Sequence, residues 1–252
     1  MNTFVELERA QSASGVRIVT SGVAPSPWSE AAKGTFRVAG IPVLLVRRGR
    51  DTVAIDAWTG ATNTPVVFND HDPPRVSWAA IVALAARLAP NTVLPEPPAA
   101  RAELRGALEL VAGEDGLGWN VRMSMIHAGL ETKGERGFPL PVATYLASRY
   151  GHTPQRAARL RDRIVQQLQI LETRLERKTY FGGTTPNALD VYVATFLSIV
   201  SPLDEATCPN LGATMRKAFA AGAADIGPLL PSTLVALRAR MFAEHLAWPI
   251  DI

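Results

Sequence analysis

The chain has 252 residues, of which 47% are hydrophobic, and 26 basic against 23 acidic residues give a net charge of +3. This length suits one large domain or two smaller ones with a sizeable buried core, and the basic residues are too dispersed for a nucleic-acid-binding surface. The single cysteine, Cys208, excludes an internal disulfide and every CxxC redox or zinc motif, so we expect no metal site.

The first residues, MNTFVELERAQSASG, lack the basic start and apolar run of a secretory signal peptide. The apolar stretch VYVATFLSIV is shorter than the roughly 18 residues that a membrane-spanning helix needs. We therefore expect a cytoplasmic protein with no membrane partner.

Residues 16–93 alternate between strand and helix patterns. The predicted strands are the β-branched runs VRIVTSG, IPVLLVRR and TPVVFND. Two helix patterns, SEAAKGTFRV and SWAAIVALAARLAP, follow the first and third strands, and Ser77 is a good N-cap for the second helix. This alternation predicts an α/β domain, to which we assign residues 1–92.

A proline-rich stretch separates this part from the rest. The segment NTVLPEPPAARAE predicts a linker, placed at 93–102. After it the pattern is helical throughout, including one long charged helix, TPQRAARLRDRIVQQLQILETRLERK, so residues 103–252 are predicted to form an all-helical domain. In PNALD, Asn187 and Asp190 have the spacing of a capping box, which makes Asp190 structural rather than catalytic.

Four motifs in this order carry a family resemblance: SPWSEAAKGTFRVAGIP, NTPVVF, SWAAIVALAARL and PNALD. Together they resemble the cytosolic glutathione transferases of the serine type. The resemblance implies an α+β two-domain fold, with a thioredoxin-like α/β domain followed by an all-α domain. It also implies a homodimer, glutathione as cosubstrate and a cis peptide bond before Pro65.

Ser26 is the candidate catalytic residue, with Ser29 as the alternative. A helix N-terminus exposes unpaired N–H groups and a partial positive charge, which favour an anion such as a thiolate. The chain has no cysteine there, so the thiol has to come from a ligand, and a serine hydroxyl can donate a hydrogen bond to that sulfur and lower its pKa. The residues alone leave a second possibility open, in which Ser26 only caps a turn or a helix.

The resemblance also implies a set of glutathione-binding residues. These are Thr64, whose backbone would pair with the tripeptide, and Pro65, whose cis bond would turn Thr64 toward it, together with Ser77 and Arg75. The family's helix start, Glu-Ser, has lost its acidic residue here, so Arg75 or His71 in the preceding loop is a candidate replacement for the lost contact. A solvated loop accounts for those two residues equally well.

The second substrate of such proteins lies between the domains. Trp28, Trp119, Arg122 and Met123 are the candidate residues for it, with Arg122 suggesting an acidic acceptor. Tryptophan and methionine at helical spacing also occur as ordinary core residues.

These features lead to three functional hypotheses. The first is a glutathione transferase-like enzyme in which Ser26 activates the thiol of glutathione for attack on a small electrophile. The second is a non-catalytic binding or interaction protein on the same architecture, which the missing Glu-Ser pair favours. The third is a glutathione-dependent isomerase or lyase, because the sequence does not define the electrophile.

Overall fold

The computed structural model describes residues 3–22, 26–49, 52–209 and 211–246. Its first part holds a four-stranded sheet, in the order β1-β3-β2-β4, made of β1 (Thr3–Phe4), β2 (Val16–Ser21), β3 (Val43–Arg48) and β4 (Val66–Asn69). The first three strands run parallel, and β4 is antiparallel to β2. The helices of this part are α1 (Leu7–Ser12), α2 (Pro27–Val38), α3 (Val53–Thr59) and α4 (Trp78–Leu88).

Both faces of the sheet are covered by helices, which explains why every residue of β2 except Ser21 is buried. Ile18 on one face packs in a cluster with residues of α2 and α4. Val19 on the other face packs with residues of α1 and α3. The helix α2 connects the parallel strands β2 and β3, so its first turn lies just beyond the end of β2.

The second part of the described chain is helical. Its helices are α5 (Pro98–Ala112), α6 (Leu117–Glu131), α7 (Leu140–Tyr150), α8 (Pro154–Ala157), α9 (Leu160–Leu175), α10 (Ala188–Leu197), α11 (Ala213–Ile226) and α12 (Ser232–Glu244). Every residue of α10 is buried, and α10 packs against α2, α5 and α12, so one apolar core runs through both parts. None of the described helices combines the length and hydropathy required to cross a bilayer.

The predicted fold class, an α/β part followed by an all-helical part, is confirmed, but three details differ. The predicted long helix after Thr153 is wrong: an i→i+3 turn at Arg159, whose N–H donates to the Arg156 carbonyl at 3.2 Å, separates α8 from α9. Helix α5 begins at Pro98, inside the predicted linker, since proline is well suited to the first helical turn. The sequence patterns also missed β1, α1 and α3, which are at most seven residues long.

Gly34 lies in the middle of α2, where glycine is a poor helix former. A Cβ at this position would lie 2.7 Å from side-chain atoms of both Val191 on α10 and Leu246. Glycine therefore permits the close approach of α2 to the central helix of the second part.

The predicted capping box at the start of α10 is confirmed. The Asn187 side chain accepts a hydrogen bond from the Leu189 N–H at 2.8 Å, and Asp190 accepts one from the Asn187 N–H at 2.8 Å. Asp190 also accepts from the Phe181 N–H at 2.8 Å, so this carboxylate fixes both the helix start and the preceding loop.

Candidate functional site

Ser26 occupies the N-cap position of α2, with an extended backbone (φ −96°, ψ 120°), and Pro27 follows in the first turn. Its carbonyl accepts the first helical hydrogen bond, from the Glu30 N–H at 2.8 Å. Its hydroxyl, however, makes no capping hydrogen bond, although serine is a favoured N-cap residue. The half-buried Ser26 side chain is therefore not used to hold the helix start.

Ser29, the alternative candidate, lies one turn further along α2 and is fully buried. Its hydroxyl oxygen accepts a hydrogen bond from the Ser21 N–H at 3.2 Å, which ties α2 to the end of β2. A ligand at the helix start therefore has better access to Ser26 than to Ser29.

The loop before β4 contains the Thr64–Pro65 peptide bond, which is cis as expected. Pro65 is buried and Thr64 is half-buried. Asn63, next in the chain, has its side-chain oxygen hydrogen-bonded by the Arg149 guanidinium at the end of α7.

Arg75, one of the two residues predicted to replace the missing acidic contact, lies in a short antiparallel turn. The backbone of Arg75 pairs with that of Val67, with N–H to carbonyl distances of 2.8 and 2.9 Å. The Arg75 guanidinium is 2.9 Å from the Asp72 carboxylate, which also pairs with Arg87 at 2.5 Å. Arg75 therefore serves the geometry of this turn.

Ser77 caps α4, as its position predicted. Its hydroxyl oxygen accepts a hydrogen bond from the Ala80 N–H at 3.2 Å. The side chain remains exposed, so it can meet solvent or a ligand while it caps the helix.

Three of the four residues predicted for a second substrate lie in one aromatic cluster. The Arg122 guanidinium carbon is 3.7 Å from the ring centre of Trp28 on α2 and 4.7 Å from that of Tyr150 on α7. Trp119 meets Tyr150 edge to face at 5.2 Å. We call these four residues the Arg122 cluster, and it joins the first turn of α2 to α6 and α7.

The fourth predicted residue, Met123, is only 2% exposed and packs in the main core. The packing interpretation therefore fits Met123 better than substrate binding does. It neighbours Arg122 in the chain but belongs to a different face of α6.

The contacts form a connected path between the two parts of the chain. Ser26 and Trp28 share the first turn of α2, and Trp28 contacts Arg122, which contacts Tyr150. Arg149, the neighbour of Tyr150, contacts Asn63, which adjoins the Thr64–Pro65 bond. The structure thus connects the predicted residues Ser26, Trp28, Arg122 and Thr64 through side chains that belong to both parts.

The charges around Arg122 and the start of α2 favour an anion. Burial lowers the pKa of Arg122, the Tyr150 hydroxyl raises it, and the nearby Arg149 lowers it further. Arginine stays protonated at neutral pH despite such a shift. The one acidic residue in the first turn of α2, Glu30, is buried and pairs with Lys33 at 2.9 Å, so its charge is compensated beneath the helix start.

Sequence reasoning missed Tyr150, Arg149 and Asn63. Asn63 opens the motif NTPVVF without being a candidate residue itself, and Arg149 and Tyr150 belong to none of the four motifs. Their contacts join residues far apart in the chain, such as Arg149 and Asn63, 86 positions apart. The sequence held no signal for these pairs, because only the folded arrangement of α6, α7 and the loop before β4 brings them together.

Two wide grooves lie elsewhere, with volumes of about 990 and 860 Å³. They adjoin each other at Asn91, Thr92, Thr185 and Pro186. Neither groove is lined by Ser26, Thr64 or Arg122, so groove size alone does not identify the candidate site.

Comparisons with known proteins agree with the fold. The family described as "Glutathione S-transferase, C-terminal domain" matches residues 154–213. No curated protein sequence matches the chain. Among solved structures, the beta-etherase LigF from Sphingobium is similar over 91% of this chain and 95% of its own, with 14% identity and a TM-score of 0.64.

Two further solved structures carry glutathione or an analogue. A glutathione S-transferase from Methylobacterium radiotolerans, in complex with glutathione sulfonate, is 16% identical over 95% of this chain and 98% of its own, with a TM-score of 0.58. A theta class glutathione S-transferase from Xanthomonas axonopodis, with glutathione bound, is 16% identical over 93% and 98%, with a TM-score of 0.57. The resemblance predicted from the sequence is confirmed in its fold.

Proposed function

Starting from the glutathione transferase fold of this chain, we propose that the protein binds glutathione at the N-terminus of α2 and activates its thiol for attack on a small electrophile. Solved structures that share the fold are described with glutathione or glutathione sulfonate bound, which supports glutathione as the cosubstrate. Thr64 and the exposed Ser77 are the proposed backbone and side-chain contacts for the tripeptide.

The observation that carries this proposal is the Ser26 hydroxyl. It lies at the start of a 12-residue helix and makes no capping hydrogen bond. A hydroxyl at this position can donate to a sulfur anion, and the helix dipole adds to the stabilisation of that anion. Because the thiolate is the nucleophile, a lower thiol pKa raises the concentration of the reactive form at neutral pH.

The second candidate is a binding protein that uses the same architecture without catalysis. The pairing of Arg75 with Asp72 favours it, because that guanidinium is already engaged within the protein. In this case glutathione, or another ligand of the same site, binds without activation of a thiol.

Calorimetric titration with glutathione tests the proposal, together with turnover of a chloronitroaromatic electrophile. We expect binding by both the wild type and Ser26→Ala, and a loss of turnover of about 100-fold in the variant, the scale on which single preorganised donors act. Ser12→Ala, an exposed serine on α1, is the matched control and should leave both quantities unchanged. The absence of any heat with glutathione would overturn the enzyme and cosubstrate assignments together.

The proposal also covers the cellular location and the oligomeric state of the protein. A cytoplasmic location is consistent with glutathione as cosubstrate, and a homodimer is expected from the resemblance. Size-exclusion chromatography with light scattering measures the second point, and a monomeric mass would contradict it.

A further inference from the structure

Arg122 differs from the arginines that this fold uses for structure. Arg48 pairs with Asp56 at 2.8 Å, and Arg75 pairs with Asp72 at 2.9 Å. For Arg122, no carboxylate of the described residues lies within ion-pair distance. Its charged neighbour is another cation, Arg149, and its favourable partner is the Tyr150 hydroxyl.

A partly desolvated guanidinium without an anion is an unusual arrangement, because burial of an unpaired charge is costly. The guanidinium carbon lies over the Trp28 ring, 3.7 Å from its centre, as in a cation–π contact. Carboxylates bind to its N–H edge, in a bidentate geometry that a stacked arginine still offers. The aromatic contacts therefore hold Arg122 in place without neutralising it.

The surroundings of this charge are aromatic as well as cationic. Trp119 packs against Tyr150, and Trp28 packs against Phe196 with ring centres 4.5 Å apart. Such a surface suits a planar apolar body, with the anionic group directed at the guanidinium.

From the Arg122 cation, which has no carboxylate partner, and the aromatic rings around it, we infer that the electrophilic substrate is an aromatic compound with a carboxylate. Arg122 is then the residue that determines this specificity. The identity of the reaction rests on the proposed function. The binding of the carboxylate by Arg122 does not depend on it. In the reaction, the glutathione sulfur forms a bond to the electrophilic carbon, the leaving group departs with its electron pair, and the thiol proton passes to solvent.

A carboxylate could reach Arg122 from two sources, since glutathione itself carries two. The position of Arg122 favours the electrophile: it lies on α6 in the helical part, against the second residue beyond Ser26. The glutathione contacts proposed at Thr64 and Ser77 belong to the other part of the chain. Calorimetry with two probes that differ in charge separates the two sources.

The probes are 3,5-dinitrobenzoate and 3,5-dinitrobenzamide, which have similar shape, differ in charge and carry no leaving group. Their affinities are measured by calorimetry for the wild type, Arg122→Met, Arg122→Lys and the control Arg161→Met, each with and without glutathione. Arg161 is exposed on α9, so its variant removes the same charge far from the cluster. Thermal unfolding of each variant checks that it folds, and Arg122→Lys retains the charge if the methionine variant does not fold.

We expect the wild type and Arg161→Met to bind the benzoate about tenfold or more tightly than the benzamide, as charge-assisted hydrogen bonds allow. Arg122→Met should lose this preference while its affinity for glutathione stays within about twofold, and Arg122→Lys should keep part of it. Equal affinities for the two probes in the wild type, or a preference that survives in Arg122→Met, would overturn the inference. A loss of glutathione affinity in Arg122→Met with an unchanged probe ratio would assign the carboxylate to glutathione and would also overturn it.

The two proposals fail in different ways. Absence of glutathione binding with an intact, Arg122-dependent preference for benzoate would remove the proposed reaction but keep the anion site. Glutathione binding and turnover with no preference between the two probes would keep the reaction and remove the inferred substrate class.

Discussion

Gly34 has only a hydrogen atom as its side chain, which allows α2 to lie close to α10. The Cβ that alanine would add lies 2.7 Å from both Val191 and Leu246, well inside normal contact distance. Val191 is β-branched and stiff, so it cannot easily move aside.

Gly34→Ala should therefore lower the free energy of unfolding by about 1 to 2 kcal/mol, because overpacking of about 1–3 kcal/mol outweighs the helix-propensity gain of up to about 1 kcal/mol. The matched control is Gly106→Ala on α5, where the added Cβ meets no atom within 4 Å. The control should gain about 0.5–1 kcal/mol from propensity alone. Urea denaturation measures both, and equal effects in the two variants would contradict the close packing of α2 on α10.

Asp190 makes the stability of the protein depend on pH. Burial raises the pKa of its carboxyl to about 6, although hydrogen bonds from the Asn187 and Phe181 N–H groups act in the opposite direction. The folded state thus binds this proton more tightly than the unfolded state, whose pKa is about 3.9. The resulting stability is fully present below about pH 4 and is lost as the pH rises through about 6.

Asp190→Asn should lower the free energy of unfolding by about 1–3 kcal/mol, because one amide oxygen cannot accept from both N–H groups. The variant also lacks the titration, so its deficit relative to the wild type should grow by on the order of 2 kcal/mol from about pH 7 to about pH 4. Urea denaturation across this range checks it. A deficit that shrinks towards acid pH would mean that the hydrogen bonds, not burial, dominate the pKa of Asp190.

At the level of elements, the two serine N-caps of the α/β part, Ser26 and Ser77, differ in whether the side chain caps its helix. The Ser77 side chain accepts a hydrogen bond from the first turn of α4, whereas the Ser26 side chain makes no such bond in α2. Ser77→Ala should therefore cost about 1 kcal/mol of stability, and Ser26→Ala should change it by less than about 0.5 kcal/mol. Thermal unfolding measures the stability of both variants. A loss of stability in Ser26→Ala that equals or exceeds that in Ser77→Ala would mean that Ser26 is purely structural.

The elements that the sequence predicted well carry strong local signals. The strand β3 is a run of β-branched and aliphatic residues, α4 has an apolar face behind Ser77, and α10 has its capping box. The elements that were missed, β1, α1 and α3, are short, and a strand of two residues has no pattern of its own. The break between α8 and α9 depends on a turn that the helical periodicity of the segment conceals.

At the level of the whole molecule, the candidate site exists only where the two parts of the chain meet. Ser26, Trp28 and Thr64 could be named from motifs in the first part, and Arg122 from the composition of α6. The guanidinium of Arg149 and the ring of Tyr150, which connect these residues, come from the end of α7 and contact Asn63 and Arg122 through tertiary packing alone. Sequence therefore named these four candidates, which stay predictions, but not the tertiary contacts that connect them.

The central claim is that the Ser26 hydroxyl stabilises the thiolate of bound glutathione. Its most direct test is a pH titration of the ultraviolet thiolate absorbance of glutathione bound to the wild type and to Ser26→Ala. The free thiol titrates near about 8.5, and a thiol at a helix N-terminus with a hydrogen-bond donor titrates at about 7.5 or below. We predict such a lowered thiol pKa in the wild type and a return towards about 8.5 in Ser26→Ala, whereas the same thiol pKa in both proteins would contradict the claim.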